Sequence, residues 1–130
     1  LKFIRSSMAV VTLTNANFKE TIEKNNFVIV DFWASWCEPC VAFTPTFEAA
    51  AIANPDIVFG MVNTETDPEI GDYFEVTQIP GILVIRDQAG IHTQVGEIGA
   101  PALNAIIKWA RERDMSAVHE HYAAEAAIKN

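Results

Sequence analysis

The chain has 130 residues, 50% of them hydrophobic, with two cysteines and eight phenylalanines. That is enough apolar material for one domain with one core and too much for an acidic disordered tail. Nine Lys and Arg stand against 17 Asp and Glu, a formal net charge of −8, which argues against binding to nucleic acid or to an anionic membrane surface, since both need clustered cations.

Asp, Glu, Lys or Pro interrupts every apolar run well short of the roughly 18–20 residues a bilayer span requires. Leu1–Val11 carries Lys2 and Arg5, but Ser6 and Ser7 break the apolar stretch of an export signal. Residues 1–8 are read as an N-terminal tail and the protein as cytoplasmic.

Ala9–Leu13 is a short β-branched run, and Thr14 or Asn15 then offers an N-cap for a helix through about Lys24, with Phe18 and Ile22 on one face. Phe27–Trp33 reads as a strand buried on both sheet faces, with Asp31 inside it. Cys37 to about Ala53 suits a helix in which Pro45 is expected to make a kink. Ile57–Val62 is the next strand. Asp67, Pro68 and Glu69 then start a short helix ending near Phe74. Ile82–Ile85 and Ile91–Val95 are read as a hairpin about a turn at Asp87–Gly90, with His92 facing water. Pro101 opens a helix whose Leu103, Ile106, Ile107 and Ala110 share a face. The order β-α-β-α-β-α-β-β-α predicts an α/β fold: a mixed five-stranded sheet with helices on both faces. Its domain spans residues 9–113, and residues 114–130 form a helical C-terminal extension.

Cys37 and Cys40 follow the buried strand and open a helix. They enclose too short a loop to stabilise the chain by restricting its unfolded state. A zinc site is equally poorly served, since only three histidines accompany them and His119 and His121 are one residue apart. The pair is therefore read as chemical. Unpaired N–H groups at a helix start favour an anion, so the Cys37 thiolate gains stability. A free thiol is only about 3% thiolate at pH 7, and each unit of pKa lowering multiplies that nearly tenfold until it saturates. Cys40, one turn inward, attacks second.

The stretch Val30-Asp31-Phe32-Trp33-Ala34-Ser35-Trp36-Cys37-Glu38-Pro39-Cys40 resembles the active site of the thioredoxin family. Pro45, Ile79-Pro80 and Val95-Gly96 resemble that family's helix proline, cis-proline loop and late glycine. The resemblance implies a thioredoxin fold and a protein-disulfide reductase without cofactor or metal, acting as a monomer on disulfide-containing proteins and recycled by a thioredoxin reductase. It implies Cys37 as nucleophile, Cys40 as resolving thiol and Asp31 as the buried acid that moves a proton for Cys40. Trp36, Glu38, Pro39, Ile79, Pro80, Gly81 and Gly96 would meet the substrate, with Trp36 shielding the disulfide. A carboxylate in an apolar strand is costly to ionise, so the Asp31 pKa is expected to rise towards neutrality.

Three positions depart from the family pattern. Glu38 stands where glycine is common; it favours the helix but opposes the neighbouring thiolate, and a more reducing couple is expected. Met61 replaces a lysine beside the buried acid, which should raise the Asp31 pKa further. Gly81 replaces a threonine, which should loosen the loop and open the groove. These departures also motivate an alternative, a thioredoxin-fold adaptor with little redox turnover.

Overall fold

A computed structural model of the chain describes residues 9–119. Strand β2 (Phe27–Trp33) lies at the centre of the sheet, every residue buried until a half-buried Trp33, as its unbroken run of Phe, Val and Ile requires. The other strands are β1 (Val10–Thr12), β3 (Val58–Asn63), β4 (Gly81–Arg86) and β5 (Ala89–Val95). They assemble in the order β1-β3-β2-β4-β5. The first three are parallel, β4 runs antiparallel to β2, and β5 antiparallel to β4.

Among the described residues, four helices cover the sheet: α1 (Phe18–Lys24), α2 (Glu38–Ala53), α3 (Pro68–Tyr73) and α4 (Ala100–Glu112). Alternation along β2 divides the core in two. Phe27 and Ile29 pack with Phe43 and Phe47 of α2 and with Leu103 and Ile107 of α4. Val28, Val30 and Phe32 pack on the other face with Leu13 and Ile70, flanked by Phe18 and Ile22 of α1. The expected mixed sheet with helices on both faces is thus present.

Several boundaries differ from the sequence expectation. The Thr14 carbonyl accepts the N–H groups of both Asn17 and Phe18, while Asn17 Oδ1 accepts the Thr14 N–H at 2.8 Å. A turn therefore consumes Thr14–Asn17, and Asn17 is the N-cap. The hairpin turn is also tighter than Asp87–Gly90. Asp87 and Gln88 take positive φ values of 51° and 68°, the two-residue loop whose twist matches its strands. Arg86 thereby pairs with Ala89, where β5 begins. His92 is half-buried rather than turned fully to water: its ring centroid lies 5.4 Å from that of Trp109, and its Nε2 is buried.

After α4, Met115 is buried and Asp114 Oδ1 accepts the Ser116 N–H at 2.9 Å. Residues 116–119 are helical again, a second start after a break rather than a continuation of α4. The tail at residues 1–8 and the extension beyond residue 119, His121 included, lie outside the described residues.

Candidate active site

The parallel strands β2 and β3 end side by side, Trp33 paired with Asn63, and the site is built where they leave the sheet. Ala34, Ser35, Trp36 and Cys37 form a turn closed by the Cys37 N–H donating to the Ala34 carbonyl at 3.2 Å. Cys37 is the N-cap of α2: its backbone is extended and its Sγ accepts the Cys40 N–H at 3.2 Å. Glu38 and Pro39 fill the first turn, both exposed, and a proline there costs no helical hydrogen bond. The helix continues through Pro45.

Cys37 and Cys40 form a disulfide, with Cα atoms 5.2 Å apart. Cys37 retains 5% exposure and Cys40 none. Their apolar neighbours are Ala34, the half-buried Trp33 and Ile79. Trp33 and Ile79 pack against the sulfurs, and Trp36 beside them is 70% exposed.

Asp31 follows Phe27 and Ile29 on the face that α2 covers, the face from which Cys40 descends. Its strand neighbours are Met61 on β3 and Ile82 on β4, neither of which offers a charge or a hydrogen bond. Asp31 is fully buried, and both carboxyl oxygens lack a partner among the described residues. Burial pushes its pKa up to about 8 from an ordinary 3.8, because the neutral acid is far less costly to hold there than the anion.

Opposite the cysteines, the Ile79–Pro80 peptide bond is cis. Pro80 is buried, and its carbonyl accepts the Gly96 N–H at 2.8 Å. Gly96 has φ +94°, a conformation that disfavours any side chain. Gly81 does not open the groove as expected. It pairs with Phe32 and shares that residue's face, away from Asp31. A Cβ there would come within 3.1 Å of the Gln78 carbonyl oxygen and 3.5 Å of Val76, so the missing side chain relieves the loop interior.

Sequence reasoning missed the loop after β3. The Thr64 N–H and hydroxyl both donate to the Trp33 carbonyl, at 2.8 and 3.0 Å. Glu65 Oε1 accepts from both the N–H and the hydroxyl of Ser35, each at 2.8 Å. These bonds, the backbone one foremost, hold the Glu65 carboxyl below its ordinary range. Glu65 carries no local motif, and only the β2–β3 register brings it to the site. Among the described residues, no three His, Cys, Asp or Glu side chains gather as metal ligands would, and no helix is long and apolar enough to cross a membrane.

The thioredoxin family pattern matches residues 9–109. A putative thioredoxin 2 of Streptomyces coelicolor is 43% identical over 119 residues, covering 92% of this chain and 89% of that protein. A thioredoxin of Buchnera aphidicola is 36% identical over 91 residues, covering 68% and 84%. Among solved structures, oxidised mitochondrial thioredoxin 3 of Saccharomyces cerevisiae superposes with a TM-score of 0.73 at 30% identity, covering 79% of this chain and 97% of that one. Sequence, fold and the placement of the disulfide agree: the chain belongs to the thioredoxin family and is a thiol–disulfide oxidoreductase.

Proposed function

We propose that the protein reduces disulfides in other proteins, with Cys37 as the attacking sulfur and Cys40 as the resolving one. The observation that carries this division is the inequality of the pair: Cys37 caps α2 and accepts the Cys40 N–H, while Cys40 is wholly buried on the Asp31 side. In the reduced form the Cys37 thiolate, stabilised by the first-turn N–H groups, attacks one sulfur of the substrate disulfide. A bond forms between Cys37 and that sulfur, and the other substrate sulfur leaves as a thiolate and takes a proton from water. Cys40 then loses its proton, attacks Cys37 and releases the second substrate thiol, so two electrons pass from the dithiol to the substrate. The internal disulfide is the product.

Asp31 is the acceptor of the Cys40 proton. With a pKa of about 8, about a tenth of it is ionised at pH 7, and a base near the working pH can return the proton as readily as it takes it. Ile79, Pro80 and Gly96 form one wall of the substrate groove, with Trp36, Glu38 and Pro39 on the other. Gly81 acts from behind that wall, as the residue that lets the loop close. A thioredoxin reductase restores the dithiol, and the protein works as a monomer in the cytoplasm, a reducing compartment in which a dithiol donor is kept charged.

Cys37→Ser is expected to abolish reduction of a disulfide-bonded model protein, and Cys40→Ser to accumulate a mixed disulfide through Cys37. Equal residual activity in the two variants would refute the assignment. Absence of turnover with a thioredoxin reductase would instead favour an adaptor that docks partners through the same groove.

A further inference from the structure

Trp33 and Asn63 are the last paired residues of β2 and β3. One more ladder bond follows, from the Thr64 N–H to the Trp33 carbonyl. In a parallel ladder the next donor is the Ser35 N–H, and the acceptor due to it is the Thr64 carbonyl. Here the Glu65 carboxylate takes that place and accepts the Ser35 hydroxyl as well, both on Oε1 at 2.8 Å. Glu65 is itself held, because its own N–H donates to Asn63 Oδ1 at 2.9 Å.

Both ends of the turn are anchored, Ala34 by burial and Cys37 by burial and the disulfide, but its middle has little besides this carboxylate to hold it. Ser35 and Trp36 are exposed, so no burial orders them, and the closing bond from Cys37 to Ala34 is 3.2 Å long. Two donors of Ser35, its N–H and its hydroxyl, converge on one acceptor oxygen, so a single side chain fixes both the backbone and the side chain of that residue. We infer that Glu65 is a positioning residue for the nucleophile: through Ser35 it fixes the path of the turn that delivers Trp36 and Cys37 to the substrate. The inference rests on the reading of Cys37 as the attacking sulfur. It assigns to the loop after β3 a part in the reaction that neither cysteine supplies. Releasing the turn lets Cys37 sample orientations from which in-line attack on a substrate sulfur fails, a loss of near-attack geometry rather than of stability.

The test compares the full chain with Glu65→Ala and Glu65→Gln. It measures the rate of reduction of a disulfide-bonded model protein, the rate and pH profile of Cys37 alkylation by iodoacetamide, and the thermal midpoint. Glu65→Gln keeps a carbonyl oxygen for Ser35, whereas Glu65→Ala removes the acceptor. Glu65→Ala should slow protein-disulfide reduction by roughly fivefold to tenfold at an unchanged midpoint, and Glu65→Gln should restore most of the rate. A wild-type rate in Glu65→Ala overturns the inference. So does an equal loss in both variants, which would assign the effect to charge, or a loss that merely tracks a lowered midpoint. An inactive wild-type chain would instead sink the reductase reading itself.

Discussion

Asp31 is the residue at which stability has been exchanged for chemistry. The folded chain keeps its proton up to about pH 8, whereas an ordinary aspartate releases it near 3.8. Between those values the unfolded state binds fewer protons than the folded one, so stability falls as pH rises across that window and levels off above it. The penalty grows by about 1.4 kcal/mol per pH unit, reaching several kcal/mol near neutrality. An asparagine side chain would imitate the protonated acid in size and polarity but cannot ionise. Denaturant titrations of Asp31→Asn should therefore match the wild type near pH 4 and show a stability gain that widens to pH 8, at the expense of Cys40 resolution. A gain independent of pH would mean that the carboxylate is solvated or paired in solution. The cost of ionising this acid was legible from sequence, because Asp31 interrupts an apolar strand and its neighbour in register is the uncharged Met61. The role of Glu65 was not, because nothing within its own segment marks it.

At the scale of elements, the readable parts were those whose cause is local. The β2 run declares a doubly buried strand, Asp67-Pro68-Glu69 declares a helix start, and Cys37 and Cys40 are bound to share a helix end. The missed features each depend on a distant partner. His92 turns inward because Trp109 of α4 lies beside it. The start of α1 slides to Phe18 because the Thr14–Asn17 turn takes the residues before it, and that turn is fastened by the bonds Asn15 donates to Asp67 and Glu69, across 52 and 54 residues of chain. The hairpin was misplaced for another reason: its loop lacks the Asn-Gly or Asp-Gly signal that normally marks a type I′ turn. Gln88 sits there at φ 68°, where a side chain costs about 1–2 kcal/mol. Glycine would relieve that cost but adds freedom to the unfolded chain worth about 0.4–1 kcal/mol. The relief is the larger of the two. Gln88→Gly should therefore stabilise the protein by about 0.5 kcal/mol, a rise of roughly 2 °C in thermal midpoint. A lower midpoint would show that the turn relaxes without strain.

For the whole molecule, helices pack on both faces of one sheet, and the term that acts across its entire surface is charge. Among the described residues the ion pairs made by Lys and Arg, Lys24–Glu20, Lys108–Glu112 and Arg111–Asp56, lie on exposed side chains, where such pairs contribute about 0–1 kcal/mol each. Against them stands the surplus of carboxylates behind a net charge of −8, which repel one another across the surface. Raising ionic strength from about 0.01 to 0.15 M shortens the screening length from about 30 to about 8 Å. Paired groups in contact lose little over that range, while carboxylates farther apart than the shorter screening length lose most of their repulsion. Relief of repulsion therefore wins, and the thermal midpoint at pH 7 should rise with added salt. The rise should shrink as pH is lowered towards the point where the charges balance, since the surplus that drives it is then titrated away. A midpoint that falls with salt at pH 7 would mean that the three pairs outweigh the surplus, and that the acidity of this chain is not what limits its stability.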